Sequence, residues 1–129
     1  YNGQEAGNTK RLAFFERDPI EWKASPYTAL YKKLIALKKQ NTALWNGEYG
    51  ARMVQVPNDA PTQVLSFVRA NDKDKVFVAL NLSDKPVRPR FDKTLHHGSY
   101  RDFATGAKLD VGGSLDFEMA PWSYRVLVK

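Results

Sequence analysis

KVFVALNLS, residues 75–83, decides the fold. Its core is a near-continuous run of β-branched, aromatic and aliphatic residues. It opens after the charged turn Asn71-Asp72-Lys73-Asp74 and closes at Ser83-Asp84. A short apolar run between two turn signals predicts a strand, and its near-continuous apolar character predicts burial on both faces.

The same pattern extends in both directions. GEYGARMVQV (47–56) and TQVLSFVRA (62–70) precede it as predicted strands. SYRDFATG (99–106), AKLDV (107–111), SLDFEM (114–119) and SYRVLVK (123–129) follow. PVRPRFD (86–92) carries two prolines and reads as an edge strand or no strand, because proline cannot donate to a ladder. Turn signals fall at His97-Gly98, Thr105-Gly106 and Gly112-Gly113. Strands at this spacing predict an antiparallel β-sandwich or Greek-key sheet of roughly seven or eight strands.

Upstream the pattern changes. PYTALYKKLIALKKQN, from residue 26 to about residue 42, places Tyr27, Leu30, Tyr31, Leu34 and Ile35 on one helical stripe, which Leu37 widens. Ser25 suits the N-cap and Pro26 the first helical position. Leu44 and Trp45 precede the stop signal Asn46-Gly47. Residues 1–25, opening YNGQEAGN, are irregular and would not fold alone. The fold class is therefore mainly β, with one long α-helix and an irregular N-terminal segment ahead of the β domain. One helix with a broad apolar stripe before an all-β block implies two parts, 1–46 and 47–129.

Composition narrows the function. Hydrophobic residues make up 43% and aromatics 12%, enough for a packed core. Cysteine is absent, so neither a disulfide framework nor a thiolate metal site is available, and the compartment stays open. No apolar run approaches the roughly 18 residues of a membrane span. The net charge of +6 is dispersed, with Lys32, Lys33, Lys38 and Lys39 as the one cluster, on the helix side away from the stripe. No nucleic-acid recognition motif accompanies it. Glu16, Asp18 and Glu21 lack calcium-loop spacing and read as solvated charges. His96 and His97 are adjacent, so in a strand they would face opposite ways; they read as surface histidines in a turn, and no metal or cofactor is expected in this region. Trp22, Trp45 and Trp122 are weighed as a sugar-stacking platform against ordinary packing; Trp45, beside Leu44 at the helix exit, is expected in the core.

Several short motifs, in this order and at this spacing, resemble the α-amylase family of glycoside hydrolases. Tyr1-Asn2-Gly3-Gln4-Glu5 with Gly7 resembles the end of that family's eighth barrel strand. Phe14-Phe15, Asp18, Ile20 and Trp22 resemble the stretch before its last barrel helix. Leu30-Tyr31-Lys32-Lys33-Leu34-Ile35-Ala36-Leu37-Lys38 resembles the helix, with Lys38 in place of the usual Arg. In the β block, Phe67-Val68-Arg69, the strand ending Asn81-Leu82-Ser83, the hairpin Tyr100-Arg101-Asp102-Phe103-Ala104-Thr105-Gly106 and Pro121 with Ser123 fit its C-terminal domain.

The resemblance implies the tail of a larger enzyme: the end of a (β/α)8 barrel, then a small antiparallel β domain. The parent would hydrolyse α-glucosidic bonds in starch-like glucans, using two carboxyl groups about 5–5.5 Å apart on upstream strands. With those carboxylates outside this sequence, no catalytic residue is expected here, and this region alone would not be an enzyme. It would stabilise the barrel and border its cleft. Family habit suggests a periplasmic or secreted parent. Relatives carry an Asp and an Arg in the loop after strand eight that clamp a sugar. Here no Asp lies between Ala6 and Glu16, so Arg11 is left as a candidate sugar contact, and Glu5 as a second candidate or a structural acid. The implied partners are the catalytic barrel of the same protein and, through it, α-glucan. Two other possibilities stay open: a carbohydrate-binding β-sandwich module with a secondary glucan site, and self-association through the barrel-facing surface.

Overall fold

The computed structural model describes residues 1–113, 115 and 117–129. Two compact units divide the chain, Tyr1–Gln40 and Asn41–Lys129.

In the first unit a 3-10 turn, Gln4–Ala6, lies against helix α1, Pro26–Gln40. The chain enters α1 as its N-terminal residues dictate. Ser25 Oγ accepts the Tyr27 N–H at 3.2 Å, and Pro26 takes the first helical position, where no N–H is needed. The Thr28 hydroxyl donates to the Glu5 carbonyl at 2.7 Å and ties turn to helix. Gly3 and Gly7 flank the turn at φ 95° and 69°, a left-handed backbone that glycine adopts without cost. No residue of α1 is buried within this chain; the stripe is there, but Tyr27 and Ile35 keep 54% and 51% of their surface exposed.

The second unit holds six antiparallel strands in one sheet: β1 Met53–Gln55, β2 Val64–Ala70, β3 Lys75–Asn81, β4 Gly98–Asp102, β5 Lys108–Val111 and β6 Tyr124–Val128. Their order across the sheet is β1-β2-β3-β6-β4-β5. The pleat puts Val68, Phe77 and Leu127 in one row on three neighbouring strands, because Val68 pairs with Phe77 and Phe77 with Leu127. All three are buried, and with Val56, Val64, Ala79, Tyr100, Val111 and Met119 they form the core.

Six strands among the described residues replace the seven or eight expected. The second layer is made of loops. The β3–β4 and β5–β6 connections lie over the core face and carry Val87, Phe91, Leu115, Phe117 and Met119 onto it. Isolated bridges Asn58↔Phe91 and Val87↔Met119 pin them. Pro86 and Pro89 remove the donors a continuous strand over 86–92 would need. The expected strand 114–119 lies partly outside the described residues; Met119 forms one of the bridges.

β3 is buried more unevenly than its apolar run suggests. Phe77, Ala79 and Asn81 lie fully inside; on the other face Val76 is buried as well, whereas Val78 and Leu80 stay half-buried.

Candidate functional site

In the first unit Glu5 is half-buried. Its carboxylate accepts the Gly3 N–H at 3.1 Å, and its carbonyl accepts the Thr28 hydroxyl. Tyr31 donates to Gln4 Oε1 at 3.1 Å. Tyr1, Gln4, Glu5, Thr28, Tyr31 and Ile35 line an open groove of about 410 Å³ along the turn and helix. Arg11 is exposed and does not line that groove. Lys10 and Asp18 form an ion pair, and Asp18 also accepts the Ala13 N–H at 2.9 Å, so the loop is braced beside Arg11. The Lys10 hydrogen bond, with help from Ala13, holds the Asp18 carboxyl below the usual range. Glu16 and Glu21 are exposed.

In the β unit, side chains that stood out in the sequence serve to fasten strands and loops. Asn81 is 1% exposed. Its amide donates to the carbonyls of Lys85 at 2.8 Å and Ala120 at 2.9 Å, and its oxygen accepts the Ser83 N–H and hydroxyl at 3.0 and 2.8 Å. The Asn-Leu-Ser ending thus clamps both covering loops to the end of β3. Asp102 accepts the Ala104 and Thr105 N–H groups, each at 2.9 Å, the Thr105 hydroxyl at 3.1 Å and Arg125 Nη1 at 2.9 Å. Burial pushes this carboxyl up, but the bonds from Thr105, Arg125 and Ala104 outweigh it and leave the group below the usual carboxylate range. Arg125 also lies over the Phe117 ring at 5.2 Å.

Arg69 fastens the entry to the unit. Its Nε and Nη2 donate to the carbonyls of Ala51 at 2.8 Å and Trp45 at 2.7 Å, and Nη1 reaches Leu44 O at 3.4 Å. Asp74 accepts the Thr42 N–H at 2.8 Å and its hydroxyl, which joins the 3-10 turn Thr42–Leu44 to the β2–β3 turn.

Two expectations are corrected. His96 is not on the surface: it is fully buried in a cluster with Phe77 and Phe91, whose ring centroids lie 5.7 and 5.5 Å from it and 5.3 Å from each other. A His-His-Gly run reads as an exposed turn; the folded loop brings Phe91, and the approach of β3 brings Phe77, against it. Trp45 is 42% exposed rather than in the core; Ala43 takes the buried place in that turn. Trp22 and Trp122 keep 62% and 69% of their surface. Among the described residues no group of three or more His, Asp or Glu side chains is placed to hold a metal ion, and no helix is long and apolar enough to cross a membrane.

An antiparallel sheet roofed by two loops, with Asn81 fastening both of them to the end of β3, defines a small all-β domain. Residues 55–123 match the family described as the α-amylase C-terminal all-β domain, and the chain belongs to that family. The fold is similar to that of a maltogenic α-amylase, AmyB, from Thermotoga neapolitana, with TM-score 0.76 at 16% identity over 99% of this chain and 32% of that one. A crystal structure of a point mutant of MutB, soaked with trehalulose, is also similar, with TM-score 0.57 at 17% identity over 80% of this chain and 18% of that one. The chain therefore spans a third or less of the length of either structure. No curated protein matches the sequence.

Proposed function

We propose that this chain is the non-catalytic C-terminal region of an α-amylase-type hydrolase whose catalytic barrel cleaves α-glucosidic bonds in starch-like glucans. Residues 1–46 are then the end of the barrel and 47–129 the domain that follows it. The carrying observation is the stripe of α1. A helix of 15 residues is marginal in water unless an apolar face is covered, yet Tyr27, Tyr31, Leu34 and Ile35 all stand exposed. Burying one such side chain contributes about 1.5–3 kcal/mol, so covering the stripe would stabilise both helix and barrel. The outer sheet face offers Leu65, Phe67, Val78 and Val126, half-buried, as further surface for the parent to cover.

On this reading the chemistry belongs to the parent. Its two carboxyl groups would act as nucleophile and acid/base upstream, while this region holds the cleft rim in place. Glu5 keeps the rim turn in shape through the Gly3 N–H, and Arg11 stands free of the braced loop to meet a sugar hydroxyl. The test is starch hydrolysis by the 129-residue chain, by the parent and by the parent truncated before Asn41. Hydrolysis is expected from the parent alone at full level, with a lower melting temperature or loss of soluble protein on truncation. Activity from the 129-residue chain would overturn the reading. Arg11→Ala in the parent is expected to raise KM with little change in kcat.

One observation favours a second reading, a sugar-binding module. Trp122 is exposed and sits at φ 55°, a left-handed backbone that an aromatic residue seldom adopts. Its N–H donates to the Ser83 carbonyl at 3.1 Å, so the ring is held outward on a fixed corner. Binding of soluble starch by the isolated chain, lost in Trp122→Ala, would move the assignment to this reading.

A further inference from the structure

The His96 ring is held in the core by shape and not by hydrogen bonds. It is fully buried, and neither Nδ1 nor Nε2 has a partner. Phe77 of β3 and Phe91 of the covering loop, themselves in contact, both pack against it, and the His97 ring meets it edge-on at 4.8 Å. The surrounding backbone is tied more firmly. Tyr100 donates its hydroxyl to the His96 carbonyl at 2.9 Å, Lys75 Nζ donates to the His97 carbonyl at 2.7 Å, and the His97 N–H donates to Thr94 O at 2.9 Å.

We propose that His96 is an acid-released latch: when its ring takes up a proton from solvent, the segment around His96 leaves the aromatic cage and the loop joining β3 to β4 opens. A neutral imidazole can pack buried against two phenyl rings, but a charged one with no acceptor cannot. The titratable groups that face the ring compound this. Lys75 from β3 is a cation, with Lys129 beyond it at the end of β6; His97 shares the loop; Tyr100 from β4 is a phenol that burial pushes up to about 12, so it stays neutral. No acidic group among the described residues acts on the ring to offset them. Burial above all, then His97 and Lys75, holds the ring's proton affinity below that of a free histidine.

The sign follows from this ordering. The open segment binds a proton near the free value of 6.5, and the closed one only at lower pH. The latch is therefore at full strength above pH 6.5 and weakens as pH falls from there through the closed-state value. Over that interval one extra proton is bound on opening, so the opening constant rises up to about tenfold per pH unit.

Native-state hydrogen exchange on the full chain tests this between about pH 7.5 and 5, with intrinsic exchange rates divided out. The amides of Asp92, bonded to Pro57 O, and His97, bonded to Thr94 O, are expected to lose protection by up to about tenfold per pH unit below 6.5. Amides of the β2–β3 ladder are expected to keep theirs. His96→Phe retains an aromatic wedge and should abolish the pH dependence, whereas His97→Gln should retain it. If His96→Phe does not fold, a carbon-detected titration of the His96 ring in the unaltered chain decides: its protonation must coincide with the loss of loop protection. Protection unchanged over this range, the same pH dependence in His96→Phe, or a ring that titrates with the loop still closed would each overturn the latch.

Discussion

Arg125 donates to the Asp102 carboxylate at 2.9 Å, and the bond joins the closing strand β6 to the β4–β5 hairpin. β4 and β6 are paired only at Arg101↔Val128 and Asp102↔Leu127, so side chains carry much of the cohesion at this seam. Asp102→Asn keeps the shape and one acceptor oxygen but leaves Arg125 without its charge partner. It is expected to lower unfolding free energy by about 1–2 kcal/mol, the lower part of the range for a charged hydrogen bond, because Asp102 is buried but Arg125 stays partly in water. Urea unfolding of the two proteins measures the difference, and Arg125→Met in the same background should cost less than it does alone.

Gly50 lies beneath the Arg69 clasp. A Cβ there would come within 1.9 Å of the Trp45 carbonyl oxygen and 2.8 Å of Arg69 Nη2. The conflict is with backbone, which no rotamer change relieves. Gly50→Ala is expected to cost about 3 kcal/mol, at the high end for overpacking. Arg69→Lys loses the fork that serves separate carbonyls and should cost about 1–2 kcal/mol. Thermal melts of both variants give the order.

Asn81 spends both ends of its amide on two different loops. Asn81→Asp is nearly isosteric but turns a donor toward the carbonyls of Lys85 and Ala120 into an acceptor. A loss of about 3 kcal/mol is expected at neutral pH, since a buried charge is left facing carbonyl oxygens. The charge explanation requires that the deficit shrink as the new carboxyl protonates, which melts at pH 7 and pH 4 would reveal.

Acid also acts through two carboxylates, in a window that opens lower than that of His96. Both Asp102 and Asp74 are held below the ordinary carboxyl value of 3.8, Asp74 by the side-chain and then the backbone hydrogen bond from Thr42. A depressed pKa means that the unfolded chain binds these protons first. Their stabilisation is complete above pH 3.8 and is lost as pH falls through the lower folded values. Thr42→Val removes the hydroxyl donor to Asp74 and should weaken this acid dependence, as read by melts between pH 2 and 5. His96→Phe should leave it unchanged.

Much of this architecture is legible along the chain because its physics is local. Short apolar runs bounded by turn residues announce β2, β3 and β6, and Ser25-Pro26 before a helical stripe announces α1. The order of short motifs, from Tyr1 to Ser123, carries the family resemblance even though none is specific alone. Other features depend on partners far away in sequence. Asn81 and Ala120 are 39 positions apart, and no property of either residue announces their hydrogen bond. The run 86–92 has the apolar residues of a strand, yet its prolines and the position of Met119 make it a roof.

The sequence by itself determined the alternation of apolar and polar residues, the turns and the helix cap, and hence a mainly β chain led by one helix. Tertiary structure decided the rest: six strands among the described residues, a loop layer over the sheet, a histidine inside and a tryptophan outside. Backbone conformation follows from a residue and its neighbours within a few positions. Burial follows from what the folded chain brings up against each side chain, and for His96 that included Phe77, nineteen residues earlier on β3.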